Sequence, residues 1–315
     1  MQFNKYFIAG GAGFIGSHFV DVLLTNKSIK KVTVYDNLSS GKIENCQAHF
    51  MDSRFKLIQD DIKNQDNLIQ AMQGHDVVLH LASNPDISRS SIDPSIDFTQ
   101  GVFLTYNILE AARKTKTKRI IYASGSGVYG EIATEIYENQ HSMYPISTYG
   151  ASKLAGEAYI YSYCHMFDLS ACIFRFANVV GPRQTHGVGY DFIHKLKQDP
   201  CKLQILGDGL QKKSYIHIND VITAVLLANT VLKQLYEVYN VATHDAITVK
   251  EVAAITIHNM NLKDPVSINF TGGDRGWRGD VPVVKLNTDK ICSLGWQCKR
   301  NSYEAVRDAI VSMLK

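Results

Sequence analysis

Through the first half of the chain, short apolar runs without polar alternation are separated by longer stretches of helical period. The runs at residues 6–9, 31–35, 56–58, 76–81, 119–124 and 170–174 predict strands buried on both faces. The stretches at 15–25, 66–72, 97–114 and 149–166 predict the helices between them. Repeated strand–helix–strand units with right-handed crossovers make a doubly wound parallel sheet, an α/β fold. After Phe176 the texture changes: punctuation thickens at Gly181, Pro182, Gly187, Gly189, Gly207 and Gly209, and helices are predicted at 190–197, 219–230, 249–259 and 302–313. Residues 1–176 are therefore expected to form the sheet domain, with a later segment near 209–230 returning to it. Residues 177–315 are expected to form a smaller α/β domain.

Length and composition narrow the function classes. A chain of 315 residues suits about two domains, and 45% hydrophobic with 20% charged residues excludes a disordered chain, a collagen and a coiled coil. Lys+Arg at 33 against Asp+Glu at 30 leaves +3, without the dense basic field of a nucleic-acid or membrane-surface binder. No apolar run approaches the roughly 20 residues of a membrane span. The opening stretch 1–11 is too short and glycine-rich for a signal peptide, so a cytoplasmic protein is expected. The six cysteines form no C-x-x-C pair, which predicts reduced thiols and no metal site.

The first strand ends in Gly10-Gly11-Ala12-Gly13-Phe14-Ile15-Gly16, and a helix follows at once. Glycines at 10, 13 and 16 allow a tight turn and let a pyrophosphate approach the unpaired N–H groups of the helix start. A bare strand-to-helix turn would use the same glycines. The acid at the end of the second strand favours a cofactor: Asp36 stands 20 residues after Gly16, where it can accept hydrogen bonds from ribose hydroxyls. It would repel a 2′-phosphate, so NAD is expected over NADP. Together these features predict a Rossmann-type NAD-binding domain.

Tyr149 and Lys153 are four residues apart and share one face of a helix. A phenol ionises near pH 10, too high for a base at neutral pH. A cation about 5 Å away, at an effective dielectric near 20, contributes on the order of 3 kcal/mol toward phenolate. That is roughly two pKa units. Tyr149 is then expected to take a proton from a hydroxyl whose carbon gives up a hydride. The alternative is a surface Tyr/Lys pair.

These motifs resemble those of extended short-chain dehydrogenases/reductases of the nucleotide-sugar epimerase/dehydratase type, nearest in pattern to UDP-glucose 4-epimerases. The resemblance rests on the glycine loop, Asp36-Asn37-Leu38-Ser39-Ser40-Gly41, Asp61-Ile62, His80-Leu81-Ala82-Ser83 and Val128-Tyr129-Gly130-Glu131. It continues through Tyr149-Gly150-Ala151-Ser152-Lys153, the run from Arg175 to Arg183, and Arg278-Gly279-Asp280-Val281. It implies that Gly10, Gly13, Phe14, Ile15, Gly16, Asp36, Asn37, Ser39, Gly41, Asp61, Ile62, Leu81, Ala82, Ser83, Tyr149 and Lys153 hold NAD. It places Asn178, Lys213, Tyr215 and Arg278 on a nucleotide-sugar substrate, and it implies a homodimer built on helices 97–114 and 149–166. The activity implied is C4 epimerisation of a UDP-hexose or UDP-N-acetylhexosamine through a 4-keto intermediate.

Three departures stand out. The family usually places Ser or Thr three residues before the Val of Val-Tyr-Gly; that position is Gly125, flanked by Ser124 and Ser126 as candidate catalytic hydroxyls. Lys213-Ser214 stands where relatives commonly carry Arg-Asp, so the bidentate fork is lost. Ala9 replaces a Thr before the glycines. A dehydratase of the same family is the alternative enzyme, but Ser126 and Gly127 occupy the positions of its acid pair. A non-catalytic NAD sensor is the alternative of another class. His80 and His217 lack ligand-spaced partners and are expected to be packing residues.

Overall fold

The computed structural model describes residues 3–84 and 90–315. In chain order come β1 (Lys5–Ala9), α1 (Phe14–Thr25), β2 (Lys31–Asp36), β3 (Phe55–Gln59), α2 (Gln65–Met72) and β4 (Val77–His80). A short α3 (Ser95–Asp97) runs through a π-helical segment (Phe98–Phe103) into α4 (Leu104–Thr115), then β5 (Arg119–Gly125), α5 (Thr148–Met166) and β6 (Ser170–Phe176). Next are β7 (Asn178–Val180), α6 (Val188–Gln198), β8 (Lys202–Ile205), β9 (Lys212–Lys213), β10 (Tyr215–His217), α7 (Ile218–Val231) and β11 (Tyr236–Val241). The chain ends with β12 (Ile247–Thr248), α8 (Val249–Met260), β13 (Ser267–Phe270), α9 (Asp289–Cys292) and α10 (Ser302–Met313).

Seven strands form one sheet in the order β3-β2-β1-β4-β5-β6-β11. The β1–β2, β2–β3, β1–β4 and β4–β5 pairs are parallel. This is a Rossmann-type doubly wound sheet, and the strand order reverses between β1 and β4, where such sheets open a crevice at their carboxyl ends. Burial on both faces explains the unbroken apolar runs: Phe7, Ile8, Ala9, Val32, Val34, Val77 and Val78 are fully buried. The helix expected over 97–114 is instead divided by the π-helical segment. Gly101 sits there against α5, and a Cβ on it would lie 2.3 Å from Ser152 Oγ. The seventh strand, β11, was not expected; Glu237 and Asn240 interrupt its apolar pattern.

Two compact units divide the chain, and their extents differ from the expected halves. One comprises Met1–Gly125, Thr148–Arg175 and Val225–Tyr239; the other comprises Ser126–Ser147, Phe176–Ala224 and Asn240–Lys315. The segment rejoining the sheet unit is thus Val225–Tyr239, later than 209–230, because α7 passes from one unit into the other. The first unit packs Phe7, Tyr35, Val78, Ile108, Ile120 and Ile160 among others into its core. The second packs Val180, Phe192, Leu203, Ile205, Val252 and Val306. All six cysteines are free.

Gly16 lets α1 start tightly against the preceding loop: a Cβ there would lie 2.4 Å from Gly10 O and 2.6 Å from Gly11 Cα. At Gly13 the nearest atom would be 3.4 Å away, at an ordinary φ of −75°. Gly16→Ala is expected to cost about 1–3 kcal/mol in urea unfolding. Gly13→Ala should stay within roughly 0.5 kcal/mol. Equal costs would contradict this reading of the loop.

Candidate active site

The glycine loop joins β1 to α1. Gly10 has φ +80°, and a Cβ on it would lie 2.8 Å from Ala82 N, so only glycine fits this approach of the loops after β1 and β4. Gly13 caps α1 without a side-chain hydrogen bond, and the first turn carries no acid. The helix start therefore keeps its unpaired N–H groups and its positive end for an anion. Phe14 is buried and Ile15 half-buried.

Asp36 ends β2 and is 8% exposed. Its carboxylate accepts N–H groups of Ala12 (2.9 Å) and Leu38 (2.9 Å), which ties the end of the second strand to the glycine loop. Burial raises its pKa, while those two N–H groups oppose the rise. Gly41 leaves room beside it, since a Cβ there would lie 2.9 Å from both carboxylate oxygens. Asn37 donates to Asp61 Oδ2 (3.1 Å) and accepts from Ser39 N (3.0 Å). Leu81 N donates to Ala9 O at 2.9 Å, which sets the loop carrying Ala82 and Ser83 beside the glycine loop. The Ile62 side chain lies in the core, and its carbonyl accepts from Asn107. It can therefore meet the cofactor through its backbone alone. The other candidate residues gather at the carboxyl ends of β1, β2, β3 and β4, and this cradle fits a dinucleotide.

Tyr149 and Lys153 stand one turn apart at the start of α5. Lys153 Nζ lies 5.6 Å from the Tyr149 ring centroid and 5.0 Å from that of Tyr122, and it donates to Ala123 O at 2.9 Å. The ammonium is 3% exposed. Burial lowers its pKa to about 8, with Glu157 and Asp97 opposing. The expected lowering of the phenol is not what the protein chain alone produces. Burial pushes Tyr149 up to about 12; the Ser83 hydroxyl pulls it down and the Asp97 charge adds to the rise. Desolvation is the largest influence on the phenol and opposes its ionisation. His80 is buried against Lys153, with its pKa lowered to about 3, and Nε2 contacts Thr105 Oγ1 at 3.0 Å. It is a neutral packing residue.

Two buried carboxylates, which the sequence did not single out, fix this helix. Asp97 accepts from Thr148 Oγ1 (2.7 Å) and Asn84 Nδ2 (2.9 Å). Glu157 pairs with Arg175, with Nη2–Oε2 at 2.6 Å and both side chains 4% exposed. It also accepts from Ser124 Oγ at 2.5 Å. Ser124 thus commits its proton to a buried ion pair, which removes it as a free catalytic hydroxyl. Ser126 opens the turn Ser126–Val128 and is half-buried. A signal for the ion pair did exist: Arg175 interrupts an apolar strand, and Glu157 lies four residues beyond Lys153.

In the second unit, Asn178 is exposed at the start of β7 and donates to Ser214 O at 3.2 Å. Lys213 is paired with Asp280 at 2.5 Å and also donates to Val281 O. Its ammonium is therefore already neutralised. Ser214 joins a hydroxyl chain to Thr243 (2.7 Å), which in turn contacts Ser302 (2.8 Å). Tyr215 is 3% exposed and packs in the apolar core, so its predicted contact with substrate is corrected. Arg278 is exposed, and a positive φ of 95° at Gly279 turns the chain beside it. Among the described residues no cluster of His, Cys, Asp and Glu could hold a metal.

An anion-ready helix start with an acid closing the second strand defines a dinucleotide-dependent domain, and the Tyr–Lys turn in the same unit gives it redox character. A profile of the NAD dependent epimerase/dehydratase family matches residues 6–242, and the chain belongs to that family. NAD is its cofactor. A curated putative UDP-glucose 4-epimerase of Methanocaldococcus jannaschii is 32% identical over 310 residues, covering 96% of each chain. A solved UDP-galactose 4-epimerase is 35% identical with a TM-score of 0.86 and covers 98% of both chains. The UDP-glucuronic acid 4-epimerase of Bacillus cereus, solved with UDP-glucuronic acid and NAD, is 27% identical at a TM-score of 0.88, covering 98% of this chain and 99% of that one.

The low pKa of Lys153 has a signed consequence. The folded protein releases this proton near pH 8, whereas a free lysine holds it to about 10.4. Above about 8 the unfolded chain binds more protons, so stability rises with pH until unfolded tyrosines ionise near 10. Below 8 the buried charge costs on the order of 3 kcal/mol. Lys153→Met is expected to raise the urea midpoint at pH 7 and to flatten its rise between about 8 and 10. An unchanged pH profile would mean that the ammonium is solvated.

Proposed function

We propose that the protein is an NAD-dependent nucleotide-sugar epimerase that inverts C4 of a UDP-hexose or UDP-N-acetylhexosamine. The observation that carries this reading is the Tyr149–Lys153 turn, set in the same unit as the glycine loop and Asp36. NAD, held by the glycine loop and Asp36, would supply the acceptor and later the donor of the C4 hydride. Tyr149 removes the C4 hydroxyl proton, leaving a 4-keto sugar, and restores a proton after the sugar has turned over. Lys153 holds a positive charge beside the phenol and is anchored by Ala123 O. Ser126 is the hydroxyl left free among the two beside Gly125 to meet the substrate. Asp36, Asn37, Ser39 and Asp61 are assigned the adenosine end, and Gly10, Gly13 and Gly16 the pyrophosphate. The sheet unit is thus read as the NAD-binding domain.

In the second unit, Asn178 and Arg278 are assigned the nucleotide diphosphate; an exposed guanidinium suits phosphate oxygens. Lys213 would contribute there only after releasing Asp280. The relatives' names, which include UDP-sugar 4-epimerases, support the substrate class. The dehydratase reading is weakened by Ser126 and Gly127, which cannot supply its acid pair. Exposed Phe98, Phe103, Tyr106 and Tyr159 on the helices of the sheet unit support a homodimer. No described helix is long and apolar enough to cross a membrane; the free thiols favour a cytoplasmic setting.

Incubation with a panel of nucleotide sugars, followed by NMR, is expected to give a C4-inverted product. A keto or alkene product would favour the dehydratase, and no conversion of any sugar would favour the sensor. Tyr149→Phe should lower turnover at least 10²-fold while sparing NAD binding. An unchanged rate would remove the proposed base. Light scattering at micromolar protein should give twice the chain mass.

A further inference from the structure

Removing the hydroxyl at position 125 and committing Ser124 to Glu157 leaves Tyr149 without the strand β5 partner that its chemistry calls for. A different hydroxyl is brought to the start of α5 by the loop after β4. Ser83 Oγ, in the loop after β4, is buried and has no hydrogen-bond partner among the described residues. Asp97 explains its position. One buried carboxylate, 1% exposed, accepts from Asn84 on one side and Thr148 on the other. Each donor is the chain neighbour of one member of the pair Ser83 and Tyr149, so the carboxylate clamps the β4 loop onto the start of α5. A buried hydroxyl left unpaired costs free energy unless a partner forms during function.

We propose that Ser83 is the hydroxyl that donates to Oη of Tyr149, taking over the part played in relatives by the residue at position 125, with Asp97 as its positioning residue. This rests on the reading of Tyr149 as the base. When the phenol loses its proton, the Ser83 O–H donates to the phenolate oxygen; no bond other than this hydrogen bond is made. The charged and titratable groups around Tyr149 are Lys153 on its own helix, Asp97 from α3 and Tyr122 from β5, with His80 and Glu157 behind Lys153. Ser83 and Tyr122 both carry a buried hydroxyl without a hydrogen-bond partner, and Ser83 is the one on the loop that Asp97 clamps to the start of α5. Consistent with this, its hydroxyl is the one group in the unit that lowers the phenol's pKa, against burial and Asp97.

The test uses NAD-loaded protein and the variants Ser83→Ala, Ser83→Thr and Ser83→Ala/Gly125→Ser. Two quantities are read: the pH profile of kcat/KM, and the ionisation of Tyr149 itself, as the phenolate absorbance difference between each protein and its Tyr149→Phe counterpart. A hydrogen bond to a charged group is worth roughly one pKa unit. Ser83→Ala is therefore expected to move the acid limb of the profile and the Tyr149 titration up by about one pH unit, and to lower the neutral rate about tenfold. Ser83→Thr should keep both, and the added Gly125→Ser should restore much of the shift. A rate loss with both titrations unmoved would make Ser83 a mere packing residue and overturn the proposal, as would a Ser83→Ala protein indistinguishable from the parent. Should the parent turn over no nucleotide sugar, the epimerase reading fails, yet the Tyr149 titration still decides the role of Ser83.

Discussion

Burying an ammonium beside a phenol is the constraint on which this structure depends. Lys153 is held by one carbonyl oxygen, two aromatic rings and a carboxylate one turn further on; these tolerate the charge, while burial lowers its pKa against the carboxylate. The same desolvation raises Tyr149. A pair arranged this way is a poor base by itself and becomes an effective one when positive charge and hydrogen-bond donors complete it.

The carboxylates around the pair have separate tasks. Glu157 neutralises Arg175 and anchors the end of β5 through Ser124, so the carbonyl that holds Lys153 sits on a fixed strand. Asp97 secures the first residue of α5 and the loop after β4. Removing Glu157 would leave the Arg175 charge buried and uncompensated, a cost of about 3–5 kcal/mol. Both carboxylates were absorbed into structure, which explains why the acids nearest the Tyr–Lys turn are not themselves proton carriers.

Much of the fold was legible in the sequence because parallel strands buried on both faces read as unbroken Val and Ile runs. The strands at residues 6–9 and 119–124 differ from β1 and β5 by one residue at an end. The strand β11 escaped because Glu237 and Asn240 break its run. The glycine loop and Asp36 were legible because backbone geometry dictates their residue types. Ser124 and Tyr215 misled for a common reason: spacing locates a residue on the chain but does not say whether its side chain faces a cleft or a core. The direction of the Tyr149 pKa was missed because a pairwise Coulomb estimate omits desolvation, the largest influence on both partners.

The central claim is that proton and hydride leave the same carbinol, the proton through Tyr149. The most direct test follows a nucleotide sugar carrying deuterium at C4 through a single turnover in ordinary water. The account predicts that the epimer keeps its deuterium at the inverted carbon. Deuterium lost to solvent would mean that C4 is inverted by carbon deprotonation and would contradict the account.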